Sequence, residues 1–211
     1  MNYSDVLDHL ASSLGVNNEL PNIALAVALC ESNDTDAFSK IVDGLLSPDT
    51  AVANDCIKVL YEIGERKPEL IAVHCLAFIQ LLQGNSNRLI WGAMTALAQI
   101  VRLRPAEIYG HRDIVINAYK SGSVITIDQS ISIFAELSRL NKEYEAFLFP
   151  VILHHLETCR PKEIPQHAQR AFIAVNETNA AEFKAILQKR MDLLTDLQQK
   201  RLKRLIHSIG R

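Results

Sequence analysis

The chain has 211 residues, 48% of them apolar and only 6% aromatic, with a formal net charge of −2. That composition excludes a disordered chain and a strongly cationic nucleic-acid binder. The abundance of Ala, Leu and Ile favours packed helices over a sheet-based core. The charge is unevenly spread. Residues 178–211 hold eight Lys/Arg against three Asp/Glu, or +5, so residues 1–177 carry −7. An acidic body is followed by a basic end.

The first ten residues, with Asp5 and Asp8 and no basic run, do not read as a secretory leader. From there the apolar residues recur with a period near 3.6 between short punctuators, and no sustained period of two occurs, so the expectation is all-α. Twelve helices are predicted in six antiparallel pairs: 3–13 with 20–31, 35–46 with 50–65, 68–83 with 86–103, 106–120 with 124–139, 142–158 with 163–175, and 179–193 with 196–208. Within pairs the chain turns at Ser47-Pro48-Asp49-Thr50, Gly84-Asn85-Ser86-Asn87, Ser121-Gly122-Ser123 and Arg160-Pro161. Between pairs, Pro68 and Pro105 fall in the first helical turn, where the missing N–H costs nothing.

The pairs repeat at a step of 37 residues. Leu60, Leu97 and Phe134 share that step, as do Ile63, Ile100 and Leu137, and Pro68 and Pro105. A fixed period of this size means stacked supersecondary units. A single domain over 1–211 is expected, with an N-terminal cap pair at 1–34, central repeats at 35–176 and a basic C-terminal cap pair at 177–211. The third pair, Leu70 to Leu103, is apolar nearly all round and should be covered on both sides.

Cys30, Cys56, Cys75 and Cys159 lack C-x-x-C spacing and read as reduced thiols of a cytoplasmic protein. The N-x-S/T triplets at Asn2, Asn33 and Asn176 read as turns and helix caps. The most apolar run, Leu70 to Leu82, is too short and too polar for a membrane span.

The second helices of the central pairs resemble HEAT and armadillo-type repeats. Ala93-Met94-Thr95-Ala96-Leu97-Ala98-Gln99-Ile100 is similar to the small-residue, Leu and Ile core of a HEAT repeat. Val59-Leu60-Tyr61-Glu62-Ile63-Gly64 is a second copy and Ile133-Phe134-Ala135-Glu136-Leu137 a looser third. The resemblance covers about residues 35–176 and implies a right-handed α-solenoid with the second helices lining its concave side. Where such repeats often carry an arginine, this chain has Ala53, Ile90 and Ile127, so the usual Arg–Asp ladder is not expected.

No phosphate-binding loop, nucleophile elbow or zinc-protease motif is present. The candidate binding surface is a stripe on the second helices at i, i+4, i+8 and i+11. It comprises Lys58 and Glu62, then Trp91, Thr95, Gln99 and Arg102, then Asp128, Ser132, Glu136 and Arg139. Trp91, the one tryptophan, could anchor a partner or fold against the next helix. The last helix carries Lys200, Arg201, Lys203 and Arg204 beside an apolar side of Leu197, Leu202, Leu205, Ile206 and Ile209. It could bind an acidic partner, dock on a second copy or simply cap the stack. His155 and Cys159, four residues apart with His167 beyond, are weak metal-ligand candidates, because a fourth ligand is not evident.

The expectation is a non-enzymatic, cofactor-free scaffold that binds a protein partner through the concave face and exists as a monomer or weak homo-oligomer. A HEAT-like DNA glycosylase of the alkylpurine class is an alternative, with Asp128 as its only stripe aspartate. The acidic body makes nucleic acid an unfavoured partner. A HEAT protein associated with a lyase or carrier is a further alternative.

Overall fold

The computed structural model describes residues 6–32 and 34–209, so Asn2, Asn33 and the start of the 3–13 expectation lie outside the described residues. No strand occurs among the described residues, and the chain is all-α. It forms two compact units, one ending at Ile127 and one beginning at Asp128.

The first unit contains α1 (Leu20–Glu31), α2 (Thr35–Asp43), α3 (Thr50–Arg66), α4 (Pro68–Ala72), α5 (Cys75–Leu81), α6 (Asn87–Ile100), α7 (Pro105–Gly110) and α8 (Arg112–Ser121). Helix α9 (Val124–Leu140) begins in this unit and ends in the second. The starts follow local chemistry. Asp34, Asp49 and Ser86 accept hydrogen bonds from the N–H groups of Ala37, Ala51 and Leu89, which the first helical turn leaves without partners. Pro68 and Pro105 occupy the first turns of α4 and α7.

Three predicted first helices come out differently. In place of a helix over 3–13, Val6–His9 forms one 3-10 turn. The N–H groups of Ala11 and Ser12 donate to the Asn22 and Asp55 side chains at 2.9 and 2.7 Å, so they are taken from any helical ladder. Gly15, at φ +66°, then reverses the chain. The 68–83 helix divides at Val73-His74, where the His74 ring stacks on Phe38 at 5.3 Å. The 106–120 helix divides at His111, whose Nδ1 donates to the Glu107 carbonyl at 2.9 Å while its N–H turns to Ile108. A side chain there takes the carbonyl that would continue the helix.

The core of this unit lies between second helices. Ile57, Leu60 and Ile63 of α3 and Ala93, Leu97 and Ile100 of α6 have no solvent exposure. Gly92 permits the approach, because a Cβ there would sit 2.6 Å from Ile57 Cγ1. The third pair is not covered on both sides. Val73 is 70% exposed, and Leu76 also faces solvent.

The second unit contains the rest of α9, then α10 (Lys142–Thr158), α11 (Ile164–Ala171), α12 (Ala180–Lys189) and α13 (Asp196–Ser208). Asn141 caps α10, and Thr195 with Gln198 forms a capping box on α13. Pro150 lies inside α10 on its exposed side, and the helix continues through it. Leu148, Ile152, Leu156, Ile164, Phe183 and Leu202 build the core. Asn176 makes the turn expected of it. Its Oδ1 accepts from Thr178 N at 3.0 Å, and its Nδ2 donates to Glu145 at 2.7 Å.

All four cysteines are free thiols, with Cys159 alone half-buried and the other three buried. No described helix is long and apolar enough to cross a membrane.

Candidate functional site

In the first unit, the stripe residues Lys58 and Glu62 of α3 belong to a closed polar cluster. Lys58 is buried, with Nζ 2.7 Å from Glu62, 3.0 Å from Glu19 and 4.8 Å from the centre of the Tyr61 ring. Burial works to lower the Lys58 ammonium, but hydrogen bonds to Glu62 and Glu19 outweigh it and hold the group above its ordinary range. Glu62 is also bound by Arg66 at 2.7 Å. Burial works to raise its carboxyl, and the bonds from Lys58 and Arg66 bring it below the usual value. Arg88 links to Glu19 at 2.6 Å and lies over the Trp91 ring at 4.1 Å.

Trp91 is half-buried between Arg88 and Tyr61, whose ring centre is 5.6 Å away. The Thr95 hydroxyl donates to the Trp91 carbonyl at 2.8 Å. Gln99 Nε2 donates to the Tyr61 carbonyl at 3.0 Å, while its buried Oε1 has no partner. Arg102 lies beyond the end of α6 and is exposed. Lys58 and Glu62 therefore sit inside a compensated network, with Trp91 and Arg88 at its edge. Glu19 and Arg88, which complete it, were not singled out from the sequence.

In the second unit, the stripe of α9 is tied to α11. Asp128 accepts from Gln166 Nε2 at 2.7 Å and His167 Nε2 at 2.6 Å, with Arg170 at 3.9 Å. Ser132 accepts from Arg170 at 2.7 Å, and Arg139 pairs with Glu136 along the helix at 3.1 Å. These links from α11 to α9 span 38 or 39 residues, about one repeat. A polar ladder is present after all, built from Asp128, Ser132, Gln166 and Arg170. Asp128, the aspartate of the glycosylase alternative, is bound within it.

The ladder extends into the interior. His155 Nε2 lies 2.7 Å from His167 Nδ1, and His167 is 1% exposed. A carboxylate can only accept, so His167 carries its proton on Nε2 and His155 donates to its Nδ1. Burial, reinforced by His167, lowers the His155 imidazole to about 4. Cys159, one turn from His155, is half-buried, and burial raises its thiol to about 11 against the pull of Arg190. The ligand-capable atoms of His155, Cys159 and His167 all lie within 4.8 Å of one another. His155 and Cys159 were visible from their spacing; the convergence of His167 and Asp128 required the fold.

The third constellation is a groove between α11 and α13. Lys162, Pro165, Leu197, Lys200, Arg201 and Arg204 line it. Leu197 is 79% exposed and leaves the apolar side assigned to it from the sequence, whereas Leu202, Leu205 and Ile209 are buried as expected. Five residues along a helix rotate a side chain by about 140° from its starting face, which sets Leu197 apart from Leu202. Lys200, Arg201, Lys203 and Arg204 are all exposed, and Lys203 points outside the groove lining. No carboxylate lines the groove, and its four cations have no ion-pair partner among the described residues. Lys162, Pro165 and the exposure of Leu197 were not anticipated.

No protein-family model matches the chain, and no curated protein matches its sequence. Solved structures share its fold. An engineered protein aligns with a TM-score of 0.64 and 19% identity, over 99% of this chain and 97% of its own. Kap121p, a HEAT-repeat karyopherin crystallised bound to Pho4p, aligns with a TM-score of 0.66 and 15% identity, over 95% of this chain and 22% of its own. At these identities the likeness establishes a helical-repeat fold.

Proposed function

We propose that the protein is a non-enzymatic binding scaffold, and that its partner presents an acidic segment with an apolar anchor to the groove between α11 and α13. The observation that carries this reading is the combination of four uncompensated cations with the exposed Leu197 on one groove. The second-helix stripe supports it less well, since most of its polar groups are already hydrogen-bonded or ion-paired within the protein. The anchor distinguishes the segment from a nucleic acid, whose backbone offers charge but no aliphatic side chain to meet Leu197. The rest of the reading follows the sequence: a right-handed arrangement of helix pairs, a cytoplasmic site of action suited to four free thiols, and no covalent chemistry.

The test is fluorescence anisotropy with a labelled acidic peptide containing a central leucine, against a single-stranded oligonucleotide of equal charge. The reading requires the peptide to bind more tightly, and Arg201→Glu with Arg204→Glu to abolish its binding. Equal or tighter oligonucleotide binding would replace the protein partner with a nucleic acid. No binding of either ligand would remove the groove as a site.

A further inference from the structure

We propose that His155, Cys159 and His167 form a binding site for one zinc-like divalent cation, held by one nitrogen of each imidazole and by the Cys159 thiolate. Imidazole and thiolate ligands suit zinc, and three protein ligands leave a fourth position for water.

The arrangement meets the requirements of such a site one by one. His155 and Cys159 are four residues apart at the end of α10, so they share a face. His167 enters from α11, with its Nδ1 directed at His155. Asp128 holds the other nitrogen of His167 at 2.6 Å, and Gln166 binds the second carboxylate oxygen at 2.7 Å. A histidine fixed by a carboxylate is the usual outer support of a zinc ligand. It also fixes the tautomer, leaving His167 Nδ1 unprotonated, with a lone pair that now accepts from His155 and that a metal would take in its place.

Tetrahedral coordination places ligand atoms about 3.4–3.6 Å apart, from bond lengths of roughly 2.0–2.3 Å. The imidazole nitrogens at 2.7 Å must therefore open slightly, and the widest pair, within 4.8 Å, must close. Cys159 is the residue best placed to move, because it is the C-cap of α10, in extended backbone, and half-buried. The negative end of the α10 dipole favours a cation there. Arg190 occupies the carbonyls of Leu156 and Cys159, and it opposes a dication while favouring the thiolate. Among the described residues no other cluster of three such ligands occurs.

On binding, the Cys159 thiol loses its proton to solvent as sulfur bonds the cation. His155 moves its proton from Nε2 to Nδ1 and releases none. The His155–His167 hydrogen bond is replaced by two metal–nitrogen bonds, with no change of oxidation state.

The experiment is titration of the full chain, freed of metal by chelation, with cobalt(II) followed by absorption. The expected result is a one-equivalent endpoint with a thiolate-to-cobalt charge-transfer band and the intense visible bands of tetrahedral cobalt. Zinc should displace the cobalt and protect one thiol from alkylation. Cys159→Ser should lose the charge-transfer band, and Asp128→Asn should weaken binding 10–100-fold. A cobalt spectrum unchanged in Cys159→Ser would overturn the proposal, as would the absence of any one-equivalent endpoint in the wild type. Either result would leave His155, His167 and Asp128 as a hydrogen-bonded chain alone. If a variant unfolds by circular dichroism, the alkylation pattern of the wild type decides: zinc must protect Cys159 itself.

Discussion

Gln99 reaches back 38 residues to donate to the main-chain carbonyl of Tyr61 at 3.0 Å, joining α6 to α3. Lys67 makes the same kind of link to the Cys30 carbonyl, 37 residues earlier, at 2.6 Å. Within the second unit, Gln166 and Arg170 bind Asp128 and Ser132, each 38 residues before. The period seen in the apolar residues thus reappears in hydrogen bonds between neighbouring repeats. Nearest-neighbour contacts of this kind are what a helical-repeat array relies on in place of a single centre.

Gly92→Ala tests the closeness of α3 and α6. The added Cβ would meet Ile57 Cγ1 at 2.6 Å, and that atom lies too near its own backbone to swing away. The expected loss is about 1–3 kcal/mol in urea unfolding. Combined with Ile57→Ala, which removes the clashing atom, the loss should fall short of the sum of the two single variants. Additive losses would contradict the packing described.

Acid should weaken the Lys58–Glu62–Arg66 cluster. The Glu62 carboxyl lies below its ordinary 4.5 in the folded protein, so it titrates lower folded than unfolded. Its stabilisation is complete above about pH 4.5 and fades as pH falls through the folded value. Glu62→Gln should cost about 1–3 kcal/mol at pH 7, since it strips charged hydrogen bonds from two cations. That deficit should hold steady down to about pH 5 and shrink below it. Thermal melts of both proteins from pH 7 to pH 3 supply the comparison.

Trp91 belongs to the fold of the first unit rather than to the groove. Trp91→Ala should cost about 2 kcal/mol, less than the roughly 3–5 of a fully buried tryptophan, because the ring is only half-buried, though Arg88 lies over it. Affinity for the acidic peptide should be unchanged. A loss of binding with unchanged stability would return the site to the second-helix stripe.

Much of this fold is legible in the chain because the apolar step along the second helices matches both helical periodicity and the repeat. Residues 50–66, 124–140 and 196–208 fold as helices at or within one residue of the expected boundaries. The first helices read less well. The break at His74 carries no Gly or Pro and depends on a stacked Phe38; that at His111 follows Gly110 and depends on a side chain bonding its own helix. Asn22 and Asp55 divert the N–H groups of Ala11 and Ser12 from positions far along the chain. Site residues split the same way. His155 and Cys159 are adjacent by helical spacing, whereas Asp128 meets His167 across 39 residues, a distance that only the repeat step could have suggested.

Leu197→Ser separates binding from stability. The side chain is 79% exposed, so unfolding free energy should stay within about 0.5 kcal/mol of wild type. Peptide affinity should drop several-fold, and the drop should vanish when the peptide's own leucine is replaced by serine. An equal drop with both peptides would remove the apolar anchor.

Chemical-shift mapping of the isotope-labelled chain with the acidic leucine peptide tests the central claim most directly. The account predicts saturable shifts confined to the amides of residues 162–164, 166 and 196–205, weakening as salt is raised. Shifts centred on Trp91, Thr95 and Gln99 instead, or no saturable shift at low salt, would contradict it.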